Sequence, residues 1–278
     1  MAEFLNLYAD LSIPILLVGI LSVLVIAVSK AGFGGAMGAL SAPIMLFVLP
    51  PKMALAVLLP LFLLSDVWAV LLWRKYGVFR IILAMGAFGI VGQLIGWAVF
   101  DYINDEMLAF LIGLVAVSVA VQYGYQHLRA HSGKQSSDNS QIMINAKRKS
   151  FRKRFIKRAA YWMSLSGFSS FVSLTGGIPA QIYLAPLRLP RKLFIGSMCW
   201  YFLIVNMAKV PFFTELDMFT PQSLALTVLF LPVVPVGIFM GKWLVLHLSD
   251  RLFYHFIHIA LFVIGLRLII TFGPQLFP

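Results

Sequence analysis

Charge is scarce in this chain: only 12% of its 278 residues are Asp, Glu, Lys or Arg. A soluble domain of that length needs far more polar surface to stay in solution. Cysteine is nearly absent as well. Cys199 stands alone in an apolar run, which excludes an internal disulfide. The opening Met-Ala-Glu has no basic n-region and no clear cleavage site, so the first apolar run is expected to be retained as a helix. The apolar runs lack the alternation of a barrel strand. No His-Glu-x-x-His, Gly-x-Ser-x-Gly or pair of intramembrane aspartates occurs, so the chain is not expected to be an enzyme.

What the chain has instead is apolar length. Hydrophobic residues make up 61% of it and the mean hydropathy is +0.93. Apolar segments run at 13–31, 36–49, 53–73, 79–100 and 107–128, and again at 159–175, 178–189, 193–213, 222–246 and 252–272. About 20 apolar residues span a bilayer, and backbone polar groups in lipid must be satisfied within the segment, which leaves helices. The expected fold is all-α, a polytopic membrane protein.

The net charge of +12 is concentrated. Ten of the 22 Lys and Arg lie between Arg129 and Arg158, in the one long polar stretch. In a membrane protein such a stretch marks a cytoplasmic loop, and nucleic acid is not the expected partner. Within it, 147–158 interleaves Phe151, Phe155 and Ile156 with basic residues, a pattern suited either to anionic lipid or to a solvated topology signal. Segment 131–145 is polar and reads as flexible.

The halves on either side of this stretch repeat their landmarks. Gly34-Gly35, Ala42-Pro43 and Pro50-Pro51-Lys52 are echoed by Gly176-Gly177, Ala185-Pro186 and Pro190-Arg191-Lys192. Gly92-x-x-x-Gly96 and Gly237-x-x-x-Gly241 are 145 residues apart, as are Asp105 and Asp250. Each half reads as a glycine-interrupted, re-entrant or broken first helix pair followed by three transmembrane helices. If each interrupted pair returns to its starting side, Arg74, Lys75, Arg80, the basic loop, Arg188, Arg191, Lys192 and Arg251 share the cytoplasmic side. The acidic residues then collect opposite. The positive-inside rule therefore points to two inverted repeats: 1–128 as the first, 129–158 as a basic cytoplasmic linker, and 159–278 as the second.

The glycine pairs also suggest chemistry. A helix that restarts inside a membrane at Gly34-Gly35 or Gly176-Gly177 presents unpaired N–H groups and the positive end of its dipole, and two inverted halves bring such ends to a common midplane. That arrangement suits an oxyanion; the competing explanation is a kink needed only for packing. Lys30, at the end of the first run, has three readings: neutralising an anion, pairing with Asp66, or snorkelling to an interface. Asp66 is the acidic residue well inside an apolar run, as a coupling proton carrier or as a salt-bridge partner. Lys209 and Asn206 lie at the corresponding depth in the second half. Ser41, Ser173, Thr175 and Gln181 flank the glycine pairs as further candidate ligands, although Ser and Thr in membrane helices often bond backbone instead. His255 and His258, with His247 upstream, have no nearby Cys and only Asp250 as a close carboxylate, so no metal is assigned.

Two ordered stretches carry a family resemblance. Gly32-Phe-Gly-Gly-Ala-Met-Gly followed by Pro43, Leu49-Pro50-Pro51-Lys52 and Ala54 resembles the first-half signature of the sulfite exporter TauE/SafE family. Ser173-Leu-Thr-Gly-Gly-Ile-Pro followed by Leu189-Pro190-Arg191-Lys192 and Gly196 resembles the second-half signature. The resemblance extends over nearly the whole chain. It departs at Ala36 and Ile178, where the usual glycine cluster is reduced. It implies a multi-pass carrier of the inner (plasma) membrane that exports sulfite or an organosulfur anion such as a sulfonate, with no cofactor. An anion channel, or a cation- or proton-coupled transporter centred on Asp66, is the alternative.

Overall fold

In the computed structural model, residues 12–32, 35–100, 102–132, 148–187, 189–247 and 250–276 are described. Their regular elements are all helical: α1 (Ile13–Gly32), α2 (Ser41–Met45), α3 (Pro51–Trp73), α4 (Phe79–Phe100), α5 (Asp105–Ser132), α6 (Arg148–Ser173), α7 (Gly177–Leu184), α8 (Arg191–Glu215), α9 (Pro221–Phe230), α10 (Val233–His247) and α11 (Asp250–Leu276). Short 3₁₀ turns at Ala36–Leu40, Arg74–Tyr76 and Ala185–Leu187 join some of them. Among the described residues, five helices are long and apolar enough to cross a membrane, or six if the bent pair α9–α10 is one span. The chain is therefore an all-helical, multi-pass membrane protein.

Local chemistry sets several helix ends. Proline stands at the first position of α3 and α9, where its missing N–H costs nothing. Thr220 caps α9 by accepting a hydrogen bond from the Ser223 amide at 3.1 Å. The apolar run 222–246, read from sequence as one segment, is two helices meeting at 44°. Pro232 at the junction has no N–H to continue the ladder.

The polarity of the bundle suits lipid. Large apolar side chains such as Leu17, Leu21, Leu83, Ile95, Phe239 and Trp243 face outward, whereas Ser29, Lys30, Asp66, Gln93, Ser166, Ser170, Asn206 and Lys209 are buried. α3 lies at the centre, with Ala54 through Leu59 all buried. Its main neighbour is α8. Around that pair, α5 packs on α11, α4 on α6, and α10 on α1. Glycines permit the last two contacts: a Cβ on Gly92 would lie 1.9 Å from the Ser164 carbonyl oxygen, and one on Gly241 would lie 2.7 Å from Val28 Cα. The segment 129–158 enters the described residues as the end of α5 and the start of α6, while most of 131–145 lies outside them.

Candidate functional site

The two helix breaks meet inside the bundle, where α7 packs against the Ala36–Leu40 turn. At the first break α1 ends at Gly32. The amide of Gly35 returns to the Ser29 carbonyl, six residues back, at 3.1 Å. Gly35 has φ +82°, a left-handed conformation that glycine adopts without a Cβ penalty. Gly34 lies outside the described residues. The restart is a 3₁₀ turn rather than an open α-helical N-terminus. Its Gly38 amide is taken by the Ser29 hydroxyl at 2.9 Å, and the Ser41 hydroxyl donates to the Gly38 carbonyl at 2.6 Å.

The second break is built differently. The left-handed residue is Leu174, at φ +57°, and the Thr175 amide returns to the Ser169 carbonyl, again six residues back, at 3.4 Å. The glycine pair follows it. Gly176 is needed for contact: a Cβ there would lie 2.5 Å from the Ser166 carbonyl oxygen. α7 then starts at Gly177, and the amides at its start fall outside the intrahelical ladder. Ser173 donates to the Ser169 carbonyl at 2.8 Å and shares a hydrogen bond with the Thr175 hydroxyl. Gln181 is half-buried on α7.

Beside these breaks lies the charged centre. Lys30 (1% exposed) comes from the last turn of α1, Asp66 (0%) from the middle of α3, and Asn206 (2%) and Lys209 (0%) from α8. The Lys30 ammonium donates to Asp66 Oδ1 in an ion pair, and Asn206 Nδ2 donates to Asp66 Oδ2 at 2.6 Å. Both carboxylate oxygens are thus engaged. Phe202 and Phe62 flank the ammonium, with ring centroids 3.9 and 5.2 Å from Lys30 Nζ. Asp66 and Asn206 are 140 residues apart, and Phe62 and Phe202 share that spacing.

Lys209 faces a different set of atoms. It donates to the carbonyl and the hydroxyl of Ser170, each at 2.9 Å. Ser170 is in the last turn of α6, so a cation sits at the negative end of that helix. Lys209 also lies within electrostatic reach of both Lys30 and Asp66.

Several buried polar groups of this region carry no sequence signal of their own. Gln93 on α4 donates Nε2 to the Val205 carbonyl of α8 at 2.7 Å, leaving Oε1 without a partner. Ser166 hydrogen-bonds the Gly176 carbonyl and, at 2.7 Å, the Tyr201 hydroxyl, tying α6 to the second break and to α8. Ser29 and Ser170 belong with them, and the three serines are among many in the chain. Phe202, an apolar member of the site, could have been found from its 140-residue spacing to Phe62.

Among the described residues no group of three or more His, Cys, Asp or Glu could hold a metal ion. The side chains of His247, His255 and His258 lie outside them, as do those of 147–154 in the basic stretch. Arg158, at the end of that stretch, donates Nη2 to the Ile182 carbonyl of α7 at 2.6 Å.

No curated protein and no solved structure gives a match to this chain. The family model described as sulfite exporter TauE/SafE matches residues 19–268. With that match over most of its length and a multi-pass helical bundle built around buried charges, the chain belongs to the sulfite exporter TauE/SafE family.

Proposed function

We propose that the protein is a secondary transporter that moves a small anion, sulfite or an organosulfur anion such as a sulfonate, by alternating access around the centre formed by Lys30, Asn206, Lys209 and the two helix breaks. One observation carries this reading. With both ammonium groups protonated, the buried centre holds two positive charges, Lys30 and Lys209, and one negative charge, Asp66. Among the described residues, Lys209 finds only the neutral oxygens of Ser170 as hydrogen-bond partners. An uncompensated charge in a low-dielectric interior costs several kcal/mol, so the centre attracts an anion. The start of α7 at Gly177 adds the positive end of a helix dipole. A cation site on Asp66 is disfavoured, because donors already occupy both carboxylate oxygens.

Two halves, 1–128 and 159–278, inverted relative to each other and joined by the basic stretch 129–158, give this centre a natural mechanism. The packing pattern supports the duplication. α3 pairs with its counterpart α8 and α5 with α11, and the contact of α4 with α6 is matched by that of α10 with α1. Rocking one half against the other would expose the centre first to one side and then to the other. The charge distribution supports a cytoplasmic linker in the inner (plasma) membrane. Export is the direction that the family implies.

The test is flux of labelled sulfite into proteoliposomes, with sulfonates and sulfate as competitors. A carrier shows saturation and stimulation by unlabelled anion on the opposite side, whereas a channel does not. Lys209→Met removes the excess positive charge without stranding Asp66, and should abolish flux. A folded Lys209→Met protein that transports at the normal rate would refute this site.

A further inference from the structure

Asp66 is itself an oxyanion, held as a substrate oxyanion would be. One oxygen accepts from an ammonium, the other from an amide, and α1, α3 and α8 enclose the group. The donors come from helices on both sides of the α3–α8 contact, so the carboxylate joins the halves that alternating access must separate. Resting on the carrier reading above, we propose that Asp66 is a built-in surrogate for the transported anion. The substrate displaces it from Lys30 and Asn206, and the released carboxylate takes one proton, so that each anion crosses with one proton.

The chemistry balances without any redox partner. The ammonium–carboxylate contact is replaced by an ammonium–anion contact, and one O–H bond forms on Asp66. The proton comes from the aqueous phase that supplied the anion, and no electrons move. A carboxylate stripped of both donors in this interior is costly, and proton uptake removes the charge. The titratable groups acting on Asp66 are Lys30 from α1 and Lys209 and Cys199 from α8. The exchange itself calls for no proton transfer to or from Lys30 or Lys209. Phe62 and Phe202 flank the Lys30 ammonium and support it while the anions exchange.

Charge counting then sets the electrical behaviour. Empty, the set of Lys30, Lys209 and Asp66 carries one positive charge. Loaded with a monoanion and a protonated Asp66, it carries the same charge, so anion and proton together move no net charge. A monoanion should therefore cross without net response to membrane potential, whereas a dianion carries one net negative charge with it.

Labelled methanesulfonate and sulfite are the probes, in proteoliposomes holding a trapped pH indicator. Methanesulfonate is a strong-acid anion, so any proton that accompanies it is moved by the protein. The expected result is one proton per methanesulfonate in the same direction, no effect of a potassium–valinomycin potential, and about tenfold accumulation for a gradient of one pH unit. In Asp66→Asn, flux should lose its response to the pH gradient and gain one to potential, because Lys30 is then uncompensated in the empty carrier. Wild-type flux of either anion that follows potential and ignores the pH gradient overturns the coupling and leaves the carrier standing. Absence of both fluxes from folded protein overturns the carrier reading, and the coupling with it. The wild-type readings decide the matter even if Asp66→Asn does not fold.

Discussion

Replacing Lys30 with Met should be costly for a reason that its partner can relieve. The substitution keeps an unbranched side chain of similar length beside Phe62 and Phe202 but leaves Asp66 buried without its ammonium. Breaking one side of a buried ion pair costs about 3–5 kcal/mol. Here the low end applies, because Asn206 still donates to Oδ2 and Lys209 remains within electrostatic reach. A loss of about 3 kcal/mol lowers the folded-to-unfolded ratio by roughly a hundredfold. On the scale of a chain this size it lowers the midpoint of thermal unfolding by about 5 °C. Asp66→Leu should cost a similar amount, since it strands Lys30. The double variant should be more stable than either single one, because it removes both charges together. The assay is thermal unfolding of the four proteins in one detergent, with sulfite flux measured in parallel. The double variant should unfold near wild type and still fail to transport. Additive losses would show that the two residues are not coupled, and transport by the stable double variant would remove Lys30 from the substrate path.

Three further outcomes follow from the geometry. Gly35→Val should impair transport, since φ +82° strains a β-branched residue and its Cβ would lie 2.8 Å from the Phe202 ring; a normal turnover rate in liposomes would contradict this. Asn206→Leu removes the second hydrogen bond to a buried carboxylate and should cost about 1–3 kcal/mol in thermal unfolding, whereas an unchanged midpoint would show that Asp66 does not need it. Cys199 is buried with Ala69, Val70 and Ile195 where α3 meets α8, so a membrane-permeant maleimide should label it slowly in the empty carrier. Labelling should quicken during turnover if that contact opens, and a rate indifferent to transported anion would place the moving surface elsewhere.

Hydropathy and spacing along the chain were enough to determine a multi-pass helical protein, because a span needs only length and the absence of charge. They also singled out Lys30 and Asp66, since ionisable groups in apolar runs are conspicuous in one dimension, and placed Asn206 at the depth of Asp66. The break near Gly35 was legible because only glycine takes a left-handed turn without penalty. The second break was legible in place but not in detail: its left-handed residue is Leu174, whose amide donates to the Ser170 carbonyl, and Gly176 serves close packing. The single run 222–246 split at Pro232 for a reason visible in sequence, but the 44° bend required the packing of α10 on α1. Which partner each charge takes was decided by tertiary structure alone. Sequence left Lys30 three choices, and the rotation of α1 against α3 selected Asp66. It gave Lys209 none in particular, and the end of α6 supplied Ser170. Gln93, Ser166 and Tyr201 had no signal at all, because a lone polar residue in a helix gains meaning only from the neighbour that packing sets beside it. Hydropathy records what a side chain prefers as solvent, whereas a buried charge is specified by the few atoms within reach of it, and those come from helices distant in sequence.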